Sequence, residues 1–147
     1  MAEAIGLGAS VVAFIGLAGQ IAQGCQFART VLDDVKDAPE DLRCLRTEIR
    51  LFEVTVDGFK NLLADIIDLG IPAGQTATVQ LALDYSEEAV AGLLKLINKD
   101  KHRGSRWGQI RFAFVKDKCA KHVARLERAK GYLSAAQAGI LLWASRN

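Results

Sequence analysis

The chain of 147 residues has the length of one domain, and its composition, 50% apolar and 24% charged, excludes a disordered chain. Its net charge is only +2, but the charges are unevenly distributed. Residues 1–98 are acidic, with 7 Lys/Arg and 14 Asp/Glu, whereas residues 99–130 are basic, with 11 Lys/Arg and 3 Asp/Glu. This pattern suggests an anionic partner or an internal electrostatic match. Three scattered cysteines, Cys25, Cys44 and Cys119, exclude a disulfide framework, so we expect a single cytosolic domain over residues 1–147.

Helical periodicity recurs along the chain and predicts four helices. Apolar or small residues spaced alternately three and four apart form what we call seams, and they indicate helices that pack into a bundle. The seams cover residues 7–35, 42–66, 79–97 and 112–143. Short connections between long helices favour antiparallel neighbours. The expected fold is therefore all-α, an antiparallel up-down four-helix bundle with a Gly-rich apolar N-terminal helix.

The first predicted helix has no charged residue from Ala4 to Ala28, a stretch of 25 positions, and about 20 apolar residues can span a bilayer core. Its five glycines weaken it as an isolated helix, at roughly 1 kcal/mol each relative to alanine. In one interpretation it is the core helix of a soluble bundle, whose glycines make room for neighbours. In the other it docks on the bundle and inserts into a membrane when released. The candidate insertion residues are Ile5, Leu7, Val11, Val12, Phe14, Ile15, Leu17 and Ile21.

The second and third helices are separated from their neighbours by capping and breaking residues. Asp37-Ala38-Pro39-Glu40 resembles a capping box, with Asp37 as the N-cap and Glu40 three residues later. Gly70 and Pro72 predict the end of the second helix, because glycine permits positive φ and proline cannot continue a helix.

A basic stretch surrounds the connection between the third and fourth helices, with Trp107 and Phe112 among its cations. Basic and aromatic side chains together suit an anionic lipid surface, and also nucleic acid. Against nucleic acid, the pI is only about 8.5 and no recognition motif is found. A solvated helix face is the third interpretation. The candidate lipid-binding residues are Lys99, Lys101, Arg103, Arg106, Arg111 and Lys116.

Residues with possible chemistry are few. His122 falls on the seam of the fourth helix three residues after Cys119, but a zinc site needs four ligands, so we interpret it as a core or boundary histidine with a hydrogen-bonded ring. No trio for nucleophilic catalysis is specified, and Gly6-Leu7-Gly8 follows no strand and so is not a phosphate-binding loop. We expect no enzyme, no catalytic residue, no metal and no cofactor.

Several segments in order resemble one protein family. They are MAEAIGLGASVVAF at 1–14, VLDDVKDAPEDLR at 31–43, LRTEI at 45–49, RWGQIRFAFVK at 106–116 and LERAKGYL at 126–133. Together they are similar to the HeLo-like N-terminal domain of fungal STAND/NLR-type receptors, over essentially the whole chain.

This resemblance implies a helical bundle that precedes a nucleotide-binding domain and acts in programmed cell death, heterokaryon incompatibility and innate immunity. It implies a homo-oligomer that moves from the cytoplasm to anionic lipids of the plasma membrane and inserts residues 2–22. With Glu3 as the one acidic residue there, a cation-conducting lumen is not expected. The chain would then be an excised domain or a stand-alone relative. The alternative is a soluble oligomerisation or adaptor bundle without membrane activity.

Overall fold

The computed structural model describes the backbone of residues 2–101 and 105–146, and the side chains of residues 10–97 and 118–146. Within this part the chain forms α1 (Ala2–Asp33), α2 (Glu40–Asp65), α3 (Ala73–Lys101) and α4 (Ser105–Arg146), and no strand. The predicted all-α bundle is confirmed, as is the apolar character of its N-terminal helix.

The core lies where the predicted seams meet. Every seam residue of α2 from 42 to 66 is at most 5% exposed, and the seam of α3 is buried along its whole predicted length. The seams of α1 and α4 are buried wherever their side chains are described, except for the half-buried Leu32, Val35 and Trp143. Burying a Leu, Ile or Phe side chain fully stabilises a fold by about 1.5–3 kcal/mol, so this common interior holds the four helices together.

The helices alternate in direction, as the side-chain contacts between them show. Along α1, Arg29 pairs with Glu53 and Asp33 with Arg50, which makes α1 and α2 antiparallel. Tyr85 packs edge to face on Tyr132, with ring centroids 5.1 Å apart, while Gly92 lies beside Arg125, so α3 and α4 are antiparallel too.

The arrangement around the bundle differs from the expected one in which consecutive helices are neighbours. In the described part of the chain α1 contacts α2 and α3, α4 contacts α2 and α3, and no contact joins α2 to α3. The order around the bundle is therefore α1, α2, α4, α3. The neighbours α2 and α4 run parallel, and a half-buried ion pair joins them, with Lys130 Nζ 2.7 Å from Glu48 Oε1.

The α2–α3 connection is long enough to cross the bundle diagonally. Its seven residues, 66–72, can reach at most about 23–25 Å when extended. Neighbouring helices lie about 8–10 Å apart, so opposite corners of a square bundle are about 11–14 Å apart. The connection is long enough for either arrangement, and so its length does not select one. Gly70 has a φ of 73°, which confirms the predicted glycine turn after α2.

The predicted capping box before α2 is wrong. The helix begins at Glu40, and its N-cap is Pro39, which forms no side-chain cap hydrogen bond. Asp37 instead has a φ of 54°, in the left-handed region that Asp tolerates better than most residues, and it turns the chain between α1 and α2. The carbonyl of Pro39 accepts from the backbone N–H groups of Leu42 and Arg43. Glu40 and Asp41 still favour the positive end of the helix dipole.

Candidate functional site

The candidate insertion residues of α1 are divided between the core and the surface. Val11, Phe14 and Ile21 are at most 4% exposed, and they pack into the common core. Ile15 and Leu17 are half-buried against it, whereas Val12 is 57% exposed. The side chains of Ile5 and Leu7 lie outside the described residues. The described part of the segment is therefore docked on the bundle.

The solvent-facing side of α1 carries no charge between residues 12 and 27. Its exposed residues are Val12, Ala13, Gly16, Gln20, Gln23, Gln26 and Phe27. The exposed sides of the other three helices carry charged residues, for example Arg50, Glu87 and Arg128, although residues 73–83 of α3 and 131–145 of α4 have none. A bundle helix normally places charged residues on its solvent side. The exposed side of α1 therefore departs from what a monomeric bundle in water requires.

A membrane-spanning length is also present in α1. Among the described residues, one helical segment, Ser10–Asp33, is long and apolar enough to cross a membrane, and 33% of its most apolar window is buried. The core helix of a soluble protein passes the same test. Length and composition thus permit a span, and the uncharged exposed side is what separates α1 from an ordinary core helix.

A polar clamp of Arg29, Asp33, Arg46, Arg50 and Glu53 holds the C-terminal end of α1 on α2. Arg46 Nη2 donates to the carbonyl oxygens of Leu32 and Val35, the latter 2.6 Å away, and thereby caps the last turn of α1. The Arg29 Nε–Glu53 Oε2 distance is 3.0 Å and the Arg50 Nη2–Asp33 Oδ2 distance is 3.3 Å. Ion pairs this exposed contribute about 0.2–1 kcal/mol each, and a hydrogen bond from a charged group about 1.5–3 kcal/mol.

This clamp was not predicted from the sequence. The signal that could have found it is the sequence of Arg43, Arg46 and Arg50 at helical spacing on α2, close in the chain to the acidic Asp33 and Asp34. Such a series indicates a helix face that meets acidic groups.

In one interpretation of the sequence, the glycines of α1 make room for neighbouring helices. The structure shows that this is true of some of its described glycines and not of others. A Cβ added at Gly24 would lie 2.7 Å from Val90 Cγ1 and 3.4 Å from Leu94 Cδ1, so α1 and α3 approach each other through this residue. At Gly16 a Cβ would meet nothing within 4 Å, and at Gly19 only the end of Lys60 at 3.8 Å. Gly16 faces solvent, and no packing contact in the described structure requires it.

The candidate lipid-binding side chains of Lys99, Lys101, Arg103, Arg106, Arg111 and Lys116 lie outside the described residues, so their binding of anionic lipid stays a prediction. The basic character continues into the described part of α4. There Lys118, Lys121 and Arg125 face α3 across a cavity of about 180 Å³. We call this cavity the basic cleft, and its lining consists of Gly92, Lys95, Leu96, Lys118, Lys121, His122 and Arg125.

His122 forms the inner wall of the basic cleft and is 7% exposed. Burial lowers its pKa, and the charges of Arg125, Lys121 and Lys118 lower it further. Its Nδ1 atom is buried and has no hydrogen-bond partner in the described structure, so the expectation of a fully hydrogen-bonded ring is wrong for this atom. Within the described residues no group of three or more His, Cys, Asp or Glu side chains could hold a metal ion.

The two buried thiols are poor nucleophiles. Burial, with smaller contributions from Glu53 and Asp57, raises the pKa of Cys25 to about 12. Burial and the charge of Asp41 raise the pKa of Cys119 to about 11. A thiol attacks as the thiolate, so neither side chain is suited to nucleophilic chemistry near neutral pH.

The exposed side of α1 and the basic cleft lie on different sides of the bundle. The cleft is between α3 and α4, whereas α1 contacts α3 and α2 but not α4 in the described structure. The outer side of α1 is therefore not part of the described lining of the cleft in the docked arrangement. Comparisons with family models, with curated proteins and with solved structures give no match to this chain.

Proposed function

We propose that this domain is a membrane-targeting execution and signalling domain of the HeLo-like, fungal NLR-type class, which acts by oligomerisation and by insertion of its apolar N-terminal segment. The observation that carries the proposal is the uncharged exposed side of α1, on a helix long enough to span a bilayer. In this proposal the domain rests in the cytoplasm ahead of a nucleotide-binding domain, and relocates to the plasma membrane when the receptor assembles.

The apolar side chains of α1 have different surroundings in the docked and in the inserted arrangement. In the bundle, Val11, Phe14 and Ile21 are buried while Val12 and Phe27 face water. In a bilayer, the four that belong to residues 2–22 would lie in hydrocarbon, with Phe27 beyond the end of the segment. The chain from Ala4 to Ala28 contains no charge, and so insertion of this stretch avoids the penalty of about 2.5–3.5 kcal/mol for a central Asp, Lys or Arg.

Release of α1 requires the polar clamp to open, because Arg29 and Asp33 follow the charge-free stretch and are bonded to α2. Breaking these contacts leaves Arg29 at the edge of the inserted segment, where a long basic side chain can reach the lipid headgroups. The clamp thus stabilises the docked state without placing a charge inside the span.

Dye release from liposomes that contain anionic phosphatidylserine tests the proposal. Val12→Glu with Gly16→Glu places two charges on the outer side of α1, where Val12 is exposed and Gly16 has open space, so the fold is retained. We expect this variant to melt like the parent and to lose leakage activity. The matched control is Leu51→Glu with Val54→Glu, which adds the same charge to exposed positions of α2, and it should leak like the parent.

Equal leakage by both double variants would show that α1 does not insert. A parent chain that assembles in sedimentation experiments but releases no dye at any concentration would favour the alternative, a soluble oligomerisation or adaptor bundle. The same uncharged side of α1 supports that alternative, because a surface without charges also suits contact with a second copy. In that case Val12→Glu with Gly16→Glu should prevent assembly.

A further inference from the structure

The basic cleft brings together four cationic side chains from two helices. Lys95 comes from α3, and Lys118, Lys121 and Arg125 come from α4. The described lining contains no acidic residue, and none of the four cations forms an ion pair with a described carboxylate. Like charges held together repel each other, and an anion between them would remove that repulsion.

Gly92 shapes the floor of the cleft. A Cβ at this position would lie 3.3 Å from Arg125 Nη1 and 3.7 Å from His122 Cε1. The missing side chain therefore lets the guanidinium and the imidazole approach the backbone of α3, and the cavity stays open beside them. His122 lines the same cavity, and its Nδ1 atom is buried without a partner in the described structure.

The size and lining of the cleft select among anions. A volume of about 180 Å³ equals the liquid volume of about six water molecules, which accommodates a phosphate group with some of its water. Arginine binds phosphate oxygens in a bidentate manner, and lysines supply point charges around it. Among the described residues that line the cavity there is no Trp, Tyr or Phe ring on which a base could stack.

We infer that the basic cleft is a binding site for a phosphomonoester group, carried either by a lipid headgroup or by a small soluble phosphorylated molecule. Gly92 gives the group access, Arg125 binds it, and Lys95, Lys118 and Lys121 surround it. The site is independent of α1 insertion, because none of its residues belongs to α1. Its described residues are separate from the predicted lipid-binding residues between Lys99 and Lys116.

Isothermal titration calorimetry of the 147-residue chain with inositol trisphosphate, at physiological salt, tests the site. We expect saturable binding of one ligand, and a loss of affinity of about tenfold or more in Arg125→Gln, since a hydrogen bond to a charged group contributes about that much. Lys121→Gln is the second variant, because Lys121 is exposed and its replacement leaves the fold intact. Arg128→Gln is the control, since Arg128 is exposed on α4 outside the cleft and its loss changes the net charge equally.

Vesicles then identify the source of the phosphate. Stronger binding to vesicles with a phosphoinositide than to phosphatidylserine vesicles of equal charge, lost in Lys121→Gln, supports the site with a lipid as its ligand. Binding of inositol trisphosphate without this vesicle preference supports the site with a soluble ligand. No saturable binding of inositol trisphosphate, or an equal loss in Arg128→Gln, would overturn the inference. None of these binding results depends on whether the parent chain releases dye from liposomes, so the membrane proposal is tested separately.

Discussion

Gly24→Ala and Gly16→Ala change the same helix in the same way, yet the structure predicts opposite effects on stability. The new methyl group at residue 24 would lie 2.7 Å from Val90 Cγ1, and Val90 is 4% exposed with a branched side chain that has little freedom to rotate. Overpacking of this kind lowers the free energy of unfolding by about 1–3 kcal/mol. Replacing a helical glycine by alanine raises it by about 1 kcal/mol, because alanine has the higher helix propensity. At residue 16 the methyl group would have no atom within 4 Å, so only the gain in helix propensity remains.

The two variants should therefore differ by about 1–3 kcal/mol in the free energy of unfolding. For a domain of this size each kcal/mol moves the melting temperature by about 2–4 °C. Thermal melts followed by circular dichroism should give Gly16→Ala a melting temperature about 2–4 °C above the parent's, and Gly24→Ala the lowest. A Gly24→Ala variant that melts at or above Gly16→Ala would refute the close approach of α1 and α3 through Gly24.

Three further predictions concern the core, a histidine and the thiols. Phe52 is 0% exposed, so Phe52→Ser should lower the free energy of unfolding by about 3–5 kcal/mol, and an unchanged thermal melt would contradict the bundle core. Burial and nearby cations lower the pKa of His122 from 6.5, so the unfolded chain binds this proton more readily and stability falls as the pH drops below that value. His122→Gln should flatten this part of a stability–pH curve, and equal slopes in both proteins would exclude the effect. Cys44 is exposed while Cys25 and Cys119 are buried, so a thiol reagent at mild pH should modify one cysteine in the folded chain and all three after unfolding. Mass spectrometry that finds Cys25 modified as fast as Cys44 would contradict the docked position of α1.

The positions that face the core could be predicted from the sequence because burial follows a local period. A residue such as Ile49 or Leu83 lies three or four positions from the next apolar residue, and this spacing alone places it on one side of its helix. The same pattern does not say which helix lies opposite. The diagonal position of α2 and α3 depends on contacts between residues far apart in the chain. The apolar periodicity of a single helix does not predict those contacts.

The roles of the individual glycines could not be predicted for a related reason. Gly24 precedes the buried Cys25 and faces α3, whereas Gly16 lies on the outer side, and the difference depends on where α3 sits. The basic cleft was missed because Gly92 and Lys95 belong to α3 and the other cations to α4. Only the excess of basic residues over 99–130 indicated that this part of the chain meets an anion.

The diagonal crossing of residues 66–72 also divides the domain into two helical hairpins, α1 with α2 and α3 with α4. Contacts within each hairpin join residues close in the chain, so we expect each hairpin to form before the two associate. The chain passes from one hairpin to the other only once. Two copies can therefore exchange hairpins through residues 66–72 and rebuild the same core in a dimer, with no contact that a single chain lacks.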